Sequence, residues 1–450
     1  MVRKLFGTDG IRGIANREPM TPETMVKVGR ATAHLLRGTS ERPAIVIGKD
    51  TRLTGYMLET ALTAGITSMG VDVLLVGPLP TPGIAFMTRT LRADAGVVIS
   101  ASHNPYEDNG IKFFSCDGLK LPDAMEQRIE ELICNGEIDG IRAAPRQIGK
   151  AFRIGDAVGR YIEFAKNTLP KGTTLKGMRV VVDCANGAAY KVSPAILQEL
   201  NAEVISLNVQ PDGININKGC GSLHPDGLRR AVTKHKAHLG FAHDGDADRV
   251  LFVDEQGETI NGDHILALSA LDMKREGRLR ADTLVATVMS NIGLDLAMRE
   301  AGIHVVRTAV GDRYVLEEML ANRYMLGGEQ SGHIIFLEHH TTGDGIVTAL
   351  QVLATMQRCG KPLSELKACM RSYPQVLINV PVRRKAAIDE LPRLQAAIRA
   401  AEAGMRGKGR VLVRLSGTEP VARVMMEGEE PAKVQRLAQK IALVIKQEMG

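Results

Sequence analysis

One cadence recurs three times along the 450 residues and limits the possible folds more than any other feature: a short, continuously apolar run, a stretch of helical period, then another apolar run. It first reads AIVIG from Ala44, a helix across Leu58 to Met69, VDVLLVG from Val71, a second helix, and AGVVIS from Ala95. It returns as MRVVVDC from Met178, NGAA with a helix, and AEVISLNV, and again as DTLVATVM from Asp282, a helix from Gly293, and IHVVRTAVG. Runs apolar at every position suit strands covered on both faces, and helices between such strands are what covers them. The order changes after Ser372 to strand (VLINVPV), helix, two strands (RVLVRL, ARVMMEG) and an amphipathic helix from Pro431. The expectation is an α/β protein: three related α/β units with mixed sheets and a C-terminal α+β domain around a central cleft. Its domains are expected at 1–153, 154–256, 257–371 and 372–450, since one hydrophobic core seldom serves more than about 250–300 residues.

In parallel and mixed sheets, chemistry collects beyond the carboxyl ends of the strands. Four polar clusters fall there or in comparable turns. GVVISASHNPYEDNGIKFF, from Gly96 to Phe114, is a buried strand that breaks into a loop dense in Ser, His, Asn, Asp and Gly. Asn104-Pro105 and Asn109-Gly110 would serve an ordinary turn equally well. Ser102 lacks the flanking glycines of G-x-S-x-G, which disfavours acyl transfer and leaves a phosphate carrier open.

HDGDADR follows the apolar run HLGFA and sets Asp244, Asp246 and Asp248 at every second position. Their carboxylates converge only if the backbone curls, which Gly245 and the small Ala247 permit. Converging negative charge calls for a cation, and an all-oxygen donor set suits Mg2+ rather than zinc. An EF-hand is excluded because Arg249 stands where that loop needs Gly. A phosphotransferase with Asp244 as nucleophile, paired with Asp246, stays open.

GGEQSGH, Gly327 to His333, offers a carboxylate, an amide, a hydroxyl and an imidazole, a mixture suited to sugar hydroxyls through Glu329 and Ser331 and equally readable as a Gly-rich hairpin turn. RLSGTEPVAR, Arg414 to Arg423, combines two guanidinia with Ser416, Thr418 and the free amides around Gly417, a donor set for phosphate oxygens. No Walker pattern is present, so a nucleotide P-loop is unsupported.

Several classes drop out. The 57 Lys and Arg against 51 Asp and Glu are dispersed, and seven Tyr, nine Phe and no Trp make no basic-aromatic alternation, so nucleic acid is not an expected partner. MVRKLFGTDG carries no apolar leader and no run approaches 18 apolar residues, so a cytoplasmic protein without membrane attachment is expected. Cys116, Cys134, Cys184, Cys220, Cys359 and Cys369 form no CxxC pair and read as reduced.

Taken with the opening FGTDGIRG from Phe6 to Gly13, the clusters resemble, in order and over nearly the whole chain, the α-D-phosphohexomutase family, and within it the branch that acts on glucosamine phosphates. The resemblance implies an isomerase that converts glucosamine 6-phosphate to glucosamine 1-phosphate for amino-sugar and cell-wall precursor synthesis. It implies phosphorylated Ser102 as carrier, glucosamine 1,6-bisphosphate (or glucose 1,6-bisphosphate) as priming intermediate, and Mg2+ held by Ser102, Asp244, Asp246 and Asp248. Glu329 and Ser331 would recognise the sugar, while Arg414, Ser416, Gly417, Thr418 and Arg423 hold the distal phosphate. Arg12, Lys112 and His333 match positions lining the reaction centre, with His103 and Arg249 behind them. A homodimer is a further expectation by analogy. Departures are His243 where an aromatic residue is common, Ala247 for a frequent Gly, and Leu415 for a frequent Pro. The rivals are a mutase of the same family acting on mannose or glucose phosphates, a phosphatase using Asp244, and a sugar-phosphate-binding protein without turnover.

Overall fold

The computed structural model describes residues 5–7, 9–36, 42–383, 388–405, 409–415 and 421–450. They form two compact units, one of the chain up to 288 with 306–367, the other of 289–305 with 368–450. Among the described residues no helix is long and apolar enough to cross a membrane.

The larger unit holds the expected α/β layers. Its first sheet runs, edge to edge, Phe6–Gly7, Gly10–Ile14, Asp108–Ser115, Ala95–Ile99, Ala44–Lys49, Asp72–Pro78 and Ala151–Arg153. Ile45, Ile47, Val97, Ile99, Ile111 and Phe113 of these strands share one core with Met25, Val28, Leu58, Leu62, Ile129 and Leu132 of the covering helices. Each such side chain removed from water contributes about 1.5–3 kcal/mol. The helices Pro22–Leu36 and Thr54–Thr67 lie close because two glycines face each other's partner: a Cβ on Gly65 would stand 2.3 Å from the Val26 carbonyl oxygen, and one on Gly29 2.6 Å from that of Leu62. The second of these helices begins at Thr54 rather than Leu58. Its polar first turn lies outside the apolar period that marked the helix, with Tyr56 under the Lys49 ammonium instead of in the core.

The second sheet runs Thr259–Ile260, Val250–Asp254, Leu239–His243, Arg179–Asp183, Glu203–Leu207. The third is built around Thr283–Thr287, Leu326–Gly328 and Ile334–Phe336. One motif repeats in all three sheets. A central strand pairs parallel with a neighbour on one side, then returns as an antiparallel strand on the other: Ala95–Ile99 to Asp108–Ser115, Leu239–His243 to Val250–Asp254, Leu326–Gly328 to Ile334–Phe336. The register closes each return tightly, with Ile99 opposite Ile111, His243 opposite Val250 and Gly328 opposite Ile334. The serine loop, the aspartate loop and the Glu329–His333 loop are these three returns. The repeat therefore puts every cluster of the larger unit at the carboxyl end of a central strand.

The smaller unit is α+β, as its changed pattern indicated. An antiparallel sheet ordered Gln375–Pro381, Val421–Gly428, Gly409–Leu415 packs Val380, Val411, Val424 and Met426 against Leu394, Ala401, Val434, Ile441 and Ile445 of the helices Pro392–Met405 and Pro431–Met449.

Candidate functional site

Ser102 leaves the end of its strand in a left-handed backbone conformation, φ 54°, which a residue with a Cβ adopts only when its surroundings compel it. The compulsion is visible. The Arg52 guanidinium, fully buried, donates through Nη2 to the carbonyls of Ser102 and Asn104 at 2.9 Å and through Nη1 to those of Pro105 and Asp108. Asn217 Nδ2 donates to the carbonyls of Ser102 at 2.9 Å and Asn104 at 3.0 Å. Asp50 holds Arg52 Nε at 2.8 Å and receives the Ser100 hydroxyl at 2.6 Å, and Ser100 Oγ in turn accepts from the Ser102 amide. Burial pushes the Asp50 carboxyl upward against the pull of Arg52.

This scaffold aims the Ser102 hydroxyl at the aspartate loop, where it donates to Asp244 Oδ2 at 2.5 Å. His103 Nδ1 lies 3.2 Å from Ser102 Oγ, and Arg249 Nη1 donates to that nitrogen at 3.2 Å. A guanidinium only donates, so His103 Nδ1 is unprotonated; burial first, then the charges of Arg249 and Arg12, lower its affinity for a second proton.

The aspartate loop curls as the spacing required, by a different division of labour. Ala247 takes the left-handed turn, at φ 57°. Gly245 is needed for close approach, since a Cβ there would meet the Ser102 carbonyl oxygen at 2.5 Å and Asn217 Nδ2 at 2.9 Å. The result brings one carboxylate oxygen each of Asp244, Asp246 and Asp248 within 4.8 Å of one another, all buried. Burial, then repulsion from Asp248 and Asp246, pushes the Asp244 carboxyl well above its usual range. Burial also works against ionised Asp246, but the Lys112 ammonium and hydrogen bonds from Lys112 and Thr81 outweigh it and hold that carboxyl below its usual range. Among the described residues, Asp246 Oδ1 and Asp248 Oδ1 are buried without a hydrogen-bond partner, a costly state that a bound cation would relieve. Three hard oxygen donors, no nitrogen or sulfur, and two unsatisfied lone-pair sets fit a hard divalent cation.

Lys112 stands beside this cluster on the return strand, with Nζ 2.9 Å from Asp246, 3.4 Å from Asp248 and 3.4 Å from Asp9. Burial opposes its charge, yet the carboxylates of Asp246, Asp9 and Asp248 prevail and raise its proton affinity. Asp9 also receives Arg12 Nη2 at 2.5 Å and Lys120 Nζ at 2.6 Å, and Lys120 reaches Asp312 at 2.5 Å.

The third loop is a hairpin turn, and it borders the second: the Val250 amide donates to the Gly332 carbonyl at 3.2 Å, and a Cβ on Gly332 would stand 2.1 Å from the Val250 oxygen. Glu329 Oε1 accepts from the Gly311 amide at 3.3 Å and Oε2 from Ser331 Oγ at 3.4 Å. Arg249, which burial disfavours as a cation, is kept charged by Asp248, Asp244 and Glu329, so the aspartate loop and the Glu329–His333 loop share one electrostatic environment. His333 is buried, and its Nε2 lies 3.4 Å from Asp312 Oδ2.

Of the residues singled out in the sequence, Ser102, His103, Lys112, Asp244, Asp246, Asp248 and Arg249 make one contiguous cluster. Arg12 joins it through Asp9. Arg414 and Arg423 face each other across the antiparallel pair of the smaller unit, and burial, then the neighbouring charge, lowers the proton affinity of Arg414. Ser416, Gly417 and Thr418 lie outside the described residues. Sequence reasoning missed Asp9, Asp50, Arg52, Thr81, Lys120, Asn217 and Asp312. Only Asp9, inside FGTDGIRG, and Asp50 with Arg52, in the KDTR that ends a strand, carried a positional signal.

Comparison with known proteins places this geometry. Residues 3–138, 159–257 and 261–373 match the phosphoglucomutase/phosphomannomutase alpha/beta/alpha domains I, II and III, and 377–444 match the C-terminal domain of the same family. The chain is 61% identical to a phosphoglucosamine mutase of Syntrophotalea carbinolica, over all of this chain and 99% of that one. It is 60% identical to a phosphoglucosamine mutase of Geobacter metallireducens over the whole of both. Among solved structures, a phosphoglucomutase/phosphomannomutase family protein of Burkholderia thailandensis superposes with a TM-score of 0.82 at 24% identity, covering 98% of this chain and 97% of the other. The N-acetylphosphoglucosamine mutase of Aspergillus fumigatus, solved with GlcNAc-6P and magnesium, gives 0.68 at 20% identity, covering 99% and 96%.

Proposed function

The chain belongs to the phosphoglucomutase/phosphomannomutase family, and on that premise we propose that it is an isomerase interconverting glucosamine 6-phosphate and glucosamine 1-phosphate, with Ser102 as the phosphoryl carrier. The substrate follows from full-length identity near 60% to relatives that bear the name phosphoglucosamine mutase. The carrier rests on one observation: a buried serine, bent into a left-handed turn, with its Oγ 2.5 Å from a carboxylate of a three-carboxylate cradle.

In this reading phospho-Ser102 is the resting donor. The bond between Ser102 Oγ and phosphorus breaks as one forms to O1 of glucosamine 6-phosphate, the O1 proton passing in net to Ser102 Oγ, giving the 1,6-bisphosphate; after the sugar turns end for end, Ser102 recovers the 6-phosphoryl, its proton passing in net to O6, and glucosamine 1-phosphate leaves. Phosphoryl transfer needs positioning and neutral surroundings for the equatorial oxygens more than it needs covalent help. Arg52 and Asn217 do the positioning, through the carbonyls of the serine loop. Lys112 and Arg249 bring fixed positive charge to the buried cluster. Asp244, Asp246 and Asp248 would hold Mg2+, which when bound supplies the remaining charge neutralisation. Glu329 and Ser331 bind sugar hydroxyls, and Arg414, Ser416, Gly417, Thr418 and Arg423 grip the phosphate not in transfer. We place the reaction in the cytoplasm, within the four domains read from the sequence.

Intact mass before and after incubation with glucosamine 1,6-bisphosphate and Mg2+ tests the carrier: wild type gains about 80 Da, one phosphoryl group, and Ser102→Ala gains nothing. A wild type that never takes up phosphate under any loading condition would overturn the relay. Turnover of glucosamine, mannose and glucose phosphates side by side tests the substrate, with glucosamine phosphate expected to be preferred.

A further inference from the structure

His333 presents a physical problem. The ring is 2% exposed, and neither nitrogen makes a hydrogen bond with acceptable geometry among the described residues. An imidazole left in that state costs free energy in the folded protein, so something other than packing accounts for it. The ring is also confined. A Cβ on Gly343 would lie 2.5 Å from both Cε1 and Nε2, so the imidazole rests against a bare backbone and has little freedom to tilt.

Beside Nε2, among the described residues, stands the charged Asp312 Oδ2, at 3.4 Å. That carboxylate is fixed from several directions. It opens the helix Asp312–Asn322, where a negative charge is favoured by the helix dipole. Its Oδ1 accepts from the Arg313 amide at 3.0 Å. The Arg313 side chain pins the start of the helix by pairing with Asp123 and, at 3.0 Å, with Glu126. Lys120 completes the frame, its ammonium lying between Asp312 at 2.5 Å and Asp9 at 2.6 Å. Asp9 is 3.4 Å from Lys112, and Lys112 is 2.9 Å from Asp246. Charges thus alternate without a gap from the aspartate cradle to the imidazole: Asp246, Lys112, Asp9, Lys120, Asp312, His333.

We infer that Asp312 is a positioning residue of the phosphoryl-transfer reaction: it holds the His333 imidazole with Nε2–H toward its carboxylate, so that Nδ1 is left as the unprotonated, accepting nitrogen, while Lys120, clamped by Asp9, keeps the carboxylate in place. A carboxylate that orients a histidine and sets its tautomer acts through that histidine and does not touch substrate. The inference rests on the reading of His333 as part of the reaction centre, and its test separates the two.

The tautomer is measured first, on the resting enzyme without substrate, from the ring nitrogen shifts of 15N-histidine-labelled protein, with the His333 signals assigned by their absence in His333→Gln. Protonation at Nε2 with Nδ1 free is expected in wild type. A wild-type Nδ1–H tautomer overturns the inference whatever the enzyme's activity. In Asp312→Asn, Nε2–H loses its charged partner, the tautomer preference is lost, and kcat falls about 10- to 100-fold, the range typical of losing an orienting carboxylate, with KM within about twofold. Lys120→Met follows the same direction and Lys120→Arg restores most of the rate. Unchanged kcat in Asp312→Asn, or a loss that appears in KM and thermal midpoint while the His333 shifts stay put, refutes a positioning role. If His333→Gln itself keeps full activity while Ser102 still loads phosphate, the reading of His333 has failed and the carrier assignment stands.

Discussion

Replacing Lys112 by Met tests the electrostatic account of the site most directly, because Met keeps most of the volume and removes only the charge. The ammonium is 2% exposed and sits 2.9 Å from Asp246 and 3.4 Å from Asp248 and Asp9. At an effective dielectric of about 20 each contact is worth about 5 kcal/mol of Coulomb attraction, from which the cost of burying the ammonium is subtracted. Removing one partner of such a buried cluster leaves carboxylates uncompensated and costs about 3–5 kcal/mol. Spread over the unfolding entropy of a unit of about 350 residues, that corresponds to a fall of about 4–7 °C in thermal midpoint without divalent cation. The sign reverses for metal. With the ammonium gone the cradle is more negative, so Mg2+ binds more tightly, and the rise in midpoint on adding millimolar Mg2+ is larger in Lys112→Met than in wild type. The assay is calorimetry of the dephosphorylated protein in chelator and in a Mg2+ series. A metal-free midpoint within 1 °C of wild type, together with an unchanged Mg2+ response, would refute the argument that Lys112 balances the triplet.

Three more outcomes follow from single contacts. Gly245→Ala drives a methyl to 2.5 Å from the Ser102 carbonyl, so the serine loop must shift; at least a tenfold loss of Ser102 phosphorylation rate by mass spectrometry is expected, with little change in circular dichroism. Arg52→Lys keeps the charge but cannot reproduce a planar fork that donates to four carbonyls and Asp50, and should cost about 2 kcal/mol or more in denaturant midpoint and most of the activity. Asp344 caps the helix Gly345–Cys359, accepts the Tyr161 hydroxyl at 2.7 Å, and is pushed by burial to a pKa of about 6. A carboxyl raised in the fold stabilises below its unfolded pKa and loses that contribution as pH rises through 6, so Asp344→Asn should be the more thermostable form at pH 8, the advantage shrinking as pH falls toward 4.

Much of the larger unit was legible because its central strands are buried on both faces: AIVI, AGVVI, VVV from Val180 and LVA from Leu284 are apolar at every position, and the polar residue that ends each run locates the loop. Return strands were harder. Asn109 and Lys112 in Asp108–Ser115 point polar groups into a buried site, so the segment shows neither the continuous run nor the alternation by which a strand is recognised. The site divided along the same line. Ser102 and the aspartates announced themselves by density within a few residues, whereas Arg52, Asn217 and Lys120 act across separations of 50, 115 and 111 residues, and no local pattern records a partner that distant. Gly245 and Ala247 were chosen correctly as the residues that allow the curl, but their roles depend on which one meets the serine loop, a fact of packing alone.

The three equivalent returns explain why so many distant residues had to be recruited. A return of five to eight residues closed by a hairpin fixes where its ends lie, and tip conformation is then set by what it touches. The serine loop touches Arg52 and Asn217; the aspartate loop touches the serine loop through Gly245; the sugar loop touches the aspartate loop's return strand through Gly332. Each loop is therefore braced by the one before it, and a fault introduced at the serine loop should propagate to both others while a fault in the sugar loop should stop there. Gly332→Ala, which sets a methyl 2.1 Å from the Val250 oxygen at a backbone position of φ 90°, is expected to weaken sugar binding, read as a rise in KM, and to leave uptake of phosphate by Ser102 within about twofold of wild type. Equal losses in both would show that the three loops form one rigid body, and the ordered bracing argued from these contacts would be wrong.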